Sequence, residues 1–278
     1  MKMIEQKENL LEHHFSIFLS SRSTLEGDDK RRFRELVKKL TNFLEAGHSC
    51  LPVTGEEQQL LRSSPLASEG ANTPLVVHNN KLYLHRYYRY ETRLAEQISA
   101  LAKISFPIKG DEIVLDEHFG EPSTEPDYQK EAAKLALGKA LTIICGGPGT
   151  GKTTTVVKIL CLLLQKEDCE LEIALAAPTG KAAMRLSESI GNSLSRMELA
   201  DEVRAAIPVK ASTLHRLLGV KRNSPQFRHS GDNPMSWDVV IVDEASMVDL
   251  AMMSKLVDAM KMGARLILLG DKDQLASV

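Results

Sequence analysis

The rhythm of apolar positions changes part-way along this chain. Near the start, Leu10, Leu11, Phe15, Phe18 and Leu19 recur at helical spacing. Phe33, Leu36, Val37, Leu40, Phe43 and Leu44 do so again, and Gly47 is a natural C-terminal stop. Leu75-Val76-Val77 and Leu82-Tyr83-Leu84 flank Asn79-Asn80, which predicts a hairpin. Tyr90, Leu94, Ile98 and Leu101 predict one further helix. Its start, Arg86-Tyr87-Tyr88-Arg89-Tyr90, mixes basic and aromatic residues. Such a mix can stack bases, but it fits a half-buried helix start better. From 116 to 127 the pattern breaks into an acidic stretch with Gly120, Pro122 and Pro126. Residues 1–115 are therefore expected to form a smaller, mainly helical N-terminal domain, 116–126 a linker, and 127–278 a second domain.

In the second domain short apolar strands, predicted at 141–145, 172–176, 238–242 and 265–269, alternate with helical patterns such as 154–164 and 250–261. Alternation of this kind predicts an α/β domain, a parallel sheet covered by helices. Ligands of such sheets bind at the carboxyl ends of the strands.

The residues at one such strand end carry the clearest chemistry. Gly146-Gly147-Pro148-Gly149-Thr150-Gly151-Lys152-Thr153 is a complete phosphate-binding loop, and Thr154 opens the helix behind it. Strand, glycine-rich loop and helix is the order that phosphate binding needs. The glycines let backbone N–H groups point at phosphate oxygens, and the helix N-terminus adds partial positive charge. Lys152 supplies a full charge near the β- and γ-phosphates, and Thr153 offers a hydroxyl to Mg²⁺.

Two more strand ends complete a hydrolytic set. Val239-Val240-Ile241-Val242 runs into Asp243-Glu244. Asp243 can hold Mg²⁺, directly or through water, and Glu244 can orient and deprotonate an attacking water. Leu268-Leu269-Gly270-Asp271-Lys272-Asp273-Gln274 repeats the design, and the neutral amide of Gln274 can sense the γ-phosphate or that water. ATP with Mg²⁺ is the expected ligand. Pro178-Thr179-Gly180-Lys181 and Ser212-Thr213-Leu214-His215 also sit where strands turn into helices. Thr179, Lys181, Thr213 and His215 can grip nucleic-acid backbone phosphates, with Lys221, Arg222 and Arg228 nearby; read alone, each is equally a helix cap or a solvated base.

Bulk properties narrow the picture only slightly. The net charge of −2 rules out a global basic signature, so any nucleic-acid contact must be local. No apolar run reaches membrane-span length, and the first residues lack a signal-peptide core. Cys50, Cys145, Cys161 and Cys169 form no CxxC pair, and Cys145 and Cys161 fall in apolar runs as expected buried thiols. A cytoplasmic location follows from that reducing pattern.

GGPGTGKTTT, APTGKAAMRL, STLHRLLG, VDEAS and LLGDKDQL, in this order and spacing, resemble the superfamily 1 DNA helicases of the RecD type. The resemblance covers about residues 127 to 278. It implies a RecA-like P-loop NTPase domain, 5′→3′ ATP-dependent unwinding, and single-stranded DNA as substrate. Tyr128-Gln129-Lys130 is similar to the segment ahead of the loop whose Gln, here Gln129, contacts adenine. Residues 47–51 and 82–91 are similar to the N-terminal domain of the family's exodeoxyribonuclease V subunits. This implies RecC-like and RecB-like partner subunits and a role in double-strand break repair and recombination. In that family the nuclease centre lies in another subunit.

The chain departs from the family at its end. Such helicases carry a second RecA-like domain with an arginine finger, whereas here no Arg follows Arg265. The chain is therefore expected to be the N-terminal piece of a longer protein. It should bind ATP but hydrolyse it poorly, because an arginine finger contributes about 10³–10⁵ in turnover. Two other classes compete. One is a nucleotide-binding subunit without motor function that locks a DNA-processing assembly. The other is a small-molecule kinase, for which no Arg-rich lid segment is present.

Overall fold

The computed structural model describes residues 10–70, 72–107, 115–116, 118–120, 127–147, 149–166, 170–224 and 226–271. The chain divides into two compact units between Arg93 and Leu94. That division falls ahead of the expected 116–126 linker, inside a helix that reads as continuous in sequence. Most of 116–126 lies outside the described residues.

In the first unit, helices α1 (Leu10–Arg22), α2 (Gly27–Glu45) and α3 (Gly55–Arg62) accompany a four-stranded sheet. The strands are β1 (Leu51–Pro52), β2 (Ala67–Ser68), β3 (Leu75–His78) and β4 (Lys81–Leu84), in the order β1-β4-β3-β2. The β3–β4 hairpin is the one predicted, with Val77 opposite Leu82 and His78 opposite Lys81. Asn79 and Asn80 both take positive φ, as a tight two-residue hairpin turn requires. The pattern gave no sign of β1 and β2, which are two residues each and too short to show alternation. Pro52 is tolerated because β1 is an edge strand.

Phe33, Leu36, Val37 and Leu40 are buried against Leu61, Leu75, Val77 and Leu82, as their spacing predicts. Phe18 is more than half exposed, and the Arg22 guanidinium lies 5.5 Å over its ring. Thr54 and Glu57 close a reciprocal capping box at the start of α3. The basic–aromatic stretch forms the first turns of α4 (His85–Lys103). There Tyr88 packs edge-on to Tyr83 and His78, at 5.4 and 5.5 Å, so this is a half-buried helix start.

The second unit is built on five parallel strands: β5 (Leu141–Cys145), β6 (Ile173–Ala177), β7 (Ser212–Thr213), β8 (Val239–Val242) and β9 (Arg265–Gly270), ordered β5-β9-β8-β6-β7. Period-two alternation sends their side chains to two cores. Leu175, Ile241, Ile267 and Leu269 meet α5 (Tyr128–Gly138), α6 (Lys152–Lys166) and α7 (Gly180–Arg196), through Leu137, Leu160, Leu163 and Ile190. On the other face Ala176, Val240, Val242 and Leu268 meet Leu94 and Leu101 of α4, Leu214 and Leu218 of α9 (Leu214–Leu218), and Leu256 of α10 (Leu250–Asp258). A short α8 (Asp201–Ala206) adds Val203 to the first core. Each fully buried Leu or Ile contributes about 1.5–3 kcal/mol relative to exposure. The parallel α/β expectation holds: the four predicted strands end within one residue of those found, and the two-residue β7 was not predicted.

Candidate nucleotide site at the carboxyl edge of the sheet

Because all five strands are parallel, their carboxyl ends lie on one edge of the sheet. Register aligns Cys145 with Gly270 and Val242 with Leu268. The phosphate loop follows β5, Asp243 follows β8, and Asp271 follows β9. The Gly146 N–H donates to the Gly270 carbonyl at 3.1 Å, which ties the loop to the neighbouring strand end.

The loop is folded on itself. Lys152 opens α6, and its Nζ donates to the carbonyls of Gly146 and, at 2.9 Å, Gly147. Thr150 Oγ1 donates to the Gly147 carbonyl at 2.9 Å. Thr155 is buried and its Oγ1 donates to the Gly151 carbonyl at 3.0 Å, locking the first turn of the helix. Gly149 and Gly151 have φ near +80°, a region that a side chain would strain. Thr153 is half-buried in the first turn of α6, and Thr154 is exposed beside it. Pro148 and Gln274 lie outside the described residues.

Beside the loop is a cleft of about 600 Å³, within the range that holds small ligands. Its walls include Tyr128, Gln129, Ile144, Cys145, Thr150 and Lys152. Asp127 places Gln129 by capping α5, accepting from the Gln129 and Lys130 N–H groups at 2.9 and 3.1 Å. Gln129 Nε2 then donates to the Thr150 carbonyl at 3.1 Å. Tyr128 is three-quarters exposed at the cleft mouth.

Cys145 is exposed, which corrects the expectation of a buried thiol. It ends β5, and β5 is an edge strand whose Ile143 is also 62% exposed. Ile143 and Cys145 share the face of β5 that the described residues leave exposed. Cys161 is buried as expected, and burial pushes its thiol up to about 11. Cys169 lies outside the described residues.

Asp243 and Glu244 stand at the middle of the edge. Burial raises the Asp243 carboxyl above its ordinary range, opposed by the Glu244 N–H at 2.9 Å and by the charge of Lys152. The loop lysine and the strand-end carboxylate thus share one electrostatic environment. Glu244 has φ 51° and ψ 40°, a left-handed conformation that costs a non-glycine residue about 1–3 kcal/mol and is concentrated at functional sites. Ser246 packs against Gly270, where an added Cβ would lie 3.5 Å from its backbone nitrogen.

A phosphate-bound Mg²⁺ keeps few protein ligands, all oxygen. The Thr153 hydroxyl and the Asp243 carboxylate are of that type, and the pull of a cation would counter the burial that raises Asp243.

The four residues singled out for backbone contact with nucleic acid lie at the β6 and β7 ends, with β8 and β9 between them and the phosphate loop. Thr179 caps α7 by accepting from the Ala182 N–H at 3.2 Å, and Thr213 caps α9 by accepting from Arg216 at 3.3 Å. Lys181 and His215 are exposed, and the His215 ring meets Phe227 edge-on at 5.7 Å. Asp127, Thr155 and Cys145 were not legible as site residues. Only the Asp-x-x at the head of α5 carried a local signal, that of a helix cap.

Residues 129–278, more than half of the chain, match the AAA domain family. The chain belongs to that family. Within this AAA domain protein the matched stretch begins at Gln129 and so takes in every residue of the phosphate loop. The chain is 43% identical over 238 residues to the RecBCD enzyme subunit RecD of Haemophilus influenzae, covering 82% of this chain and 37% of that protein. It is 41% identical over 248 residues to the corresponding RecD of Mycobacterium tuberculosis, covering 84% and 40%. It is 37% identical over 220 residues to the ATP-dependent RecD2 DNA helicase of Deinococcus radiodurans, covering 77% and 27%. The chain thus spans 40% or less of the length of these relatives. Among the described residues no helix is long and apolar enough to cross a membrane.

Proposed function

We propose that this chain supplies the N-terminal domain and the first motor domain of an ATP-dependent 5′→3′ DNA helicase, a subunit of a RecBCD-type exodeoxyribonuclease V acting in double-strand break repair and recombination. The observation that carries this reading is the convergence of the phosphate loop, Asp243-Glu244 and Gly270-Asp271 on one sheet edge, with Lys152 close enough to pull on the Asp243 carboxyl. The names of the relatives, RecD subunits and a RecD2 helicase, support the same function.

In this reading Lys152 and the loop N–H groups hold the β- and γ-phosphates of ATP, and Gly146, Gly147, Pro148, Gly149, Thr150 and Gly151 form the cradle. Thr153 and Asp243 would hold Mg²⁺, which would supply positive charge against the phosphates. Glu244 takes a proton from the attacking water, and Gln274 senses the γ-phosphate. Single-stranded DNA runs along the β6–β7 end of the edge, over Thr179, Lys181, Thr213 and His215. The N-terminal domain, residues 1–115, docks a RecC-like subunit, with a RecB-like subunit in the same assembly. The expected domain division, with 116–126 as the linker, remains part of this proposal. Cytoplasmic location goes with the same assembly.

The test is the ATPase rate of the full-length protein, with and without single-stranded DNA. A motor subunit is stimulated severalfold or more by the strand. A nucleotide-locked assembly subunit or a small-molecule kinase is not.

A further inference from the structure

Family resemblance implies a base contact for Gln129, but the neighbour that its amide has in the structure is the phosphate loop. Gln129 Nε2 donates to the Thr150 carbonyl at 3.1 Å, and a Cβ built on Gly151 would lie 2.7 Å from the same nitrogen. The amide therefore sits against loop backbone at two successive residues. Its own position is fixed from elsewhere. The Asp127 carboxylate holds the Gln129 and Lys130 N–H groups, and the Lys130 ammonium pairs with Asp116 and donates to the Gly120 carbonyl at 3.1 Å.

A primary amide carries two N–H donors and a carbonyl acceptor. If the N–H spent on Thr150 is the one pointing away from Oε1, the remaining N–H and the carbonyl lie side by side, the edge that pairs with the N6/N7 side of adenine. Holding the loop and reading a base are therefore compatible.

We infer that Gln129 is a positioning residue for the phosphate loop: its amide braces Thr150 and Gly151 in the phosphate-cradling shape whether or not a base is present. The inference rests on the nucleotide-binding reading above and goes beyond it. A residue that touches only the base affects only ligands that have one. A residue that braces the loop also affects a ligand that is all phosphate.

The experiment is calorimetric titration of the full-length protein with Mg²⁺ and inorganic tripolyphosphate, and in parallel with Mg-ATP. Wild type is compared with Gln129→Ala and Gln129→Met. Met keeps the length of the side chain and helix propensity but has no N–H. Both variants are expected to bind tripolyphosphate about threefold to tenfold more weakly, the loss of one hydrogen bond. Equal loss in Met and Ala assigns the effect to the N–H donor and not to packing. Unchanged or tighter tripolyphosphate binding in both, with ATP alone weakened, makes Gln129 a base contact and overturns the inference. Tripolyphosphate binding kept in Gln129→Met overturns the role of the hydrogen bond. Wild type that binds neither ligand removes the nucleotide site, and the inference with it.

Discussion

Gly151→Ala strikes the phosphate loop where left-handed backbone and a close contact coincide. Gly151 has φ +80°, and an L-residue held in left-handed backbone loses about 1–2 kcal/mol. The new Cβ would also lie 2.7 Å from Gln129 Nε2, inside any normal contact distance. The amide is the far end of a flexible side chain, so it swings away and the backbone stays. It then gives up its hydrogen bond to the Thr150 carbonyl, a further loss of about 0.5–1.5 kcal/mol. An alanine loop relaxes toward negative φ when no phosphate holds it, so both losses are subtracted from binding. Mg-ATP affinity should fall by roughly tenfold to a few hundredfold, read by calorimetry or by displacement of a fluorescent nucleotide. In a Gln129→Ala background the clash is absent, and the same substitution should cost only the backbone strain, about fivefold to thirtyfold. Affinity in Gly151→Ala within twofold of wild type would refute the reasoning. An equal loss in both backgrounds would refute the part assigned to Gln129.

Glu244→Gln in the full-length protein should keep ATP binding and lose about two or more decades of turnover, because it removes the base; parallel loss of binding would mean a structural role. Maleimide labelling of Cys145, which is exposed in the cleft wall, should slow when Mg-ATP is bound, and an unchanged rate would move the nucleotide away from that wall. Asp238 gives a pH test. Burial raises its carboxyl, but Lys261 at 2.7 Å, the Glu172 N–H and Arg265 outweigh that and hold it below its ordinary value. A depressed folded value stabilises the protein above the unfolded value of about 3.9 and is lost as pH falls through the folded one. Asp238→Asn should therefore be less stable than wild type in denaturant at pH 7 and close the gap as the pH falls through the lowered folded value; a constant gap would exclude the ionised carboxylate as the cause. Lys181→Ala should flatten the salt dependence of single-strand binding by about 0.7 in the log–log slope, measured by anisotropy in the full-length protein, and an unchanged slope would take Lys181 off the DNA path.

What was legible in the sequence was whatever is local. The phosphate loop is eight contiguous residues whose spacing is the chemistry itself. Asp243-Glu244 and Gly270-Asp271 were readable because each ends a short apolar run whose length and flanks favour a buried strand. The Asn79-Asn80 hairpin was readable because two residues decide its turn. Strands β1 and β2 were not, since two residues cannot show a period.

Tertiary structure decided everything that depends on strand order. Nothing in the sequence says that β9, the last of the five along the chain, lies between β5 and β8, yet that order lets the Gly270 carbonyl reach the Gly146 N–H and brings the charge of Lys152 to bear on Asp243. The same order leaves β5 at the edge, which exposes Cys145 although its neighbours are apolar. Gln129 and Thr150 are twenty-one residues apart, and their hydrogen bond exists because α5 packs on α6. The division at Arg93 and Leu94 is of the same kind. The α4 periodicity runs unbroken through it, and only packing shows that Leu94 and Leu101 join the second core. Periodicity reports which face of an element is buried, and the partner that buries it is a property of the whole chain.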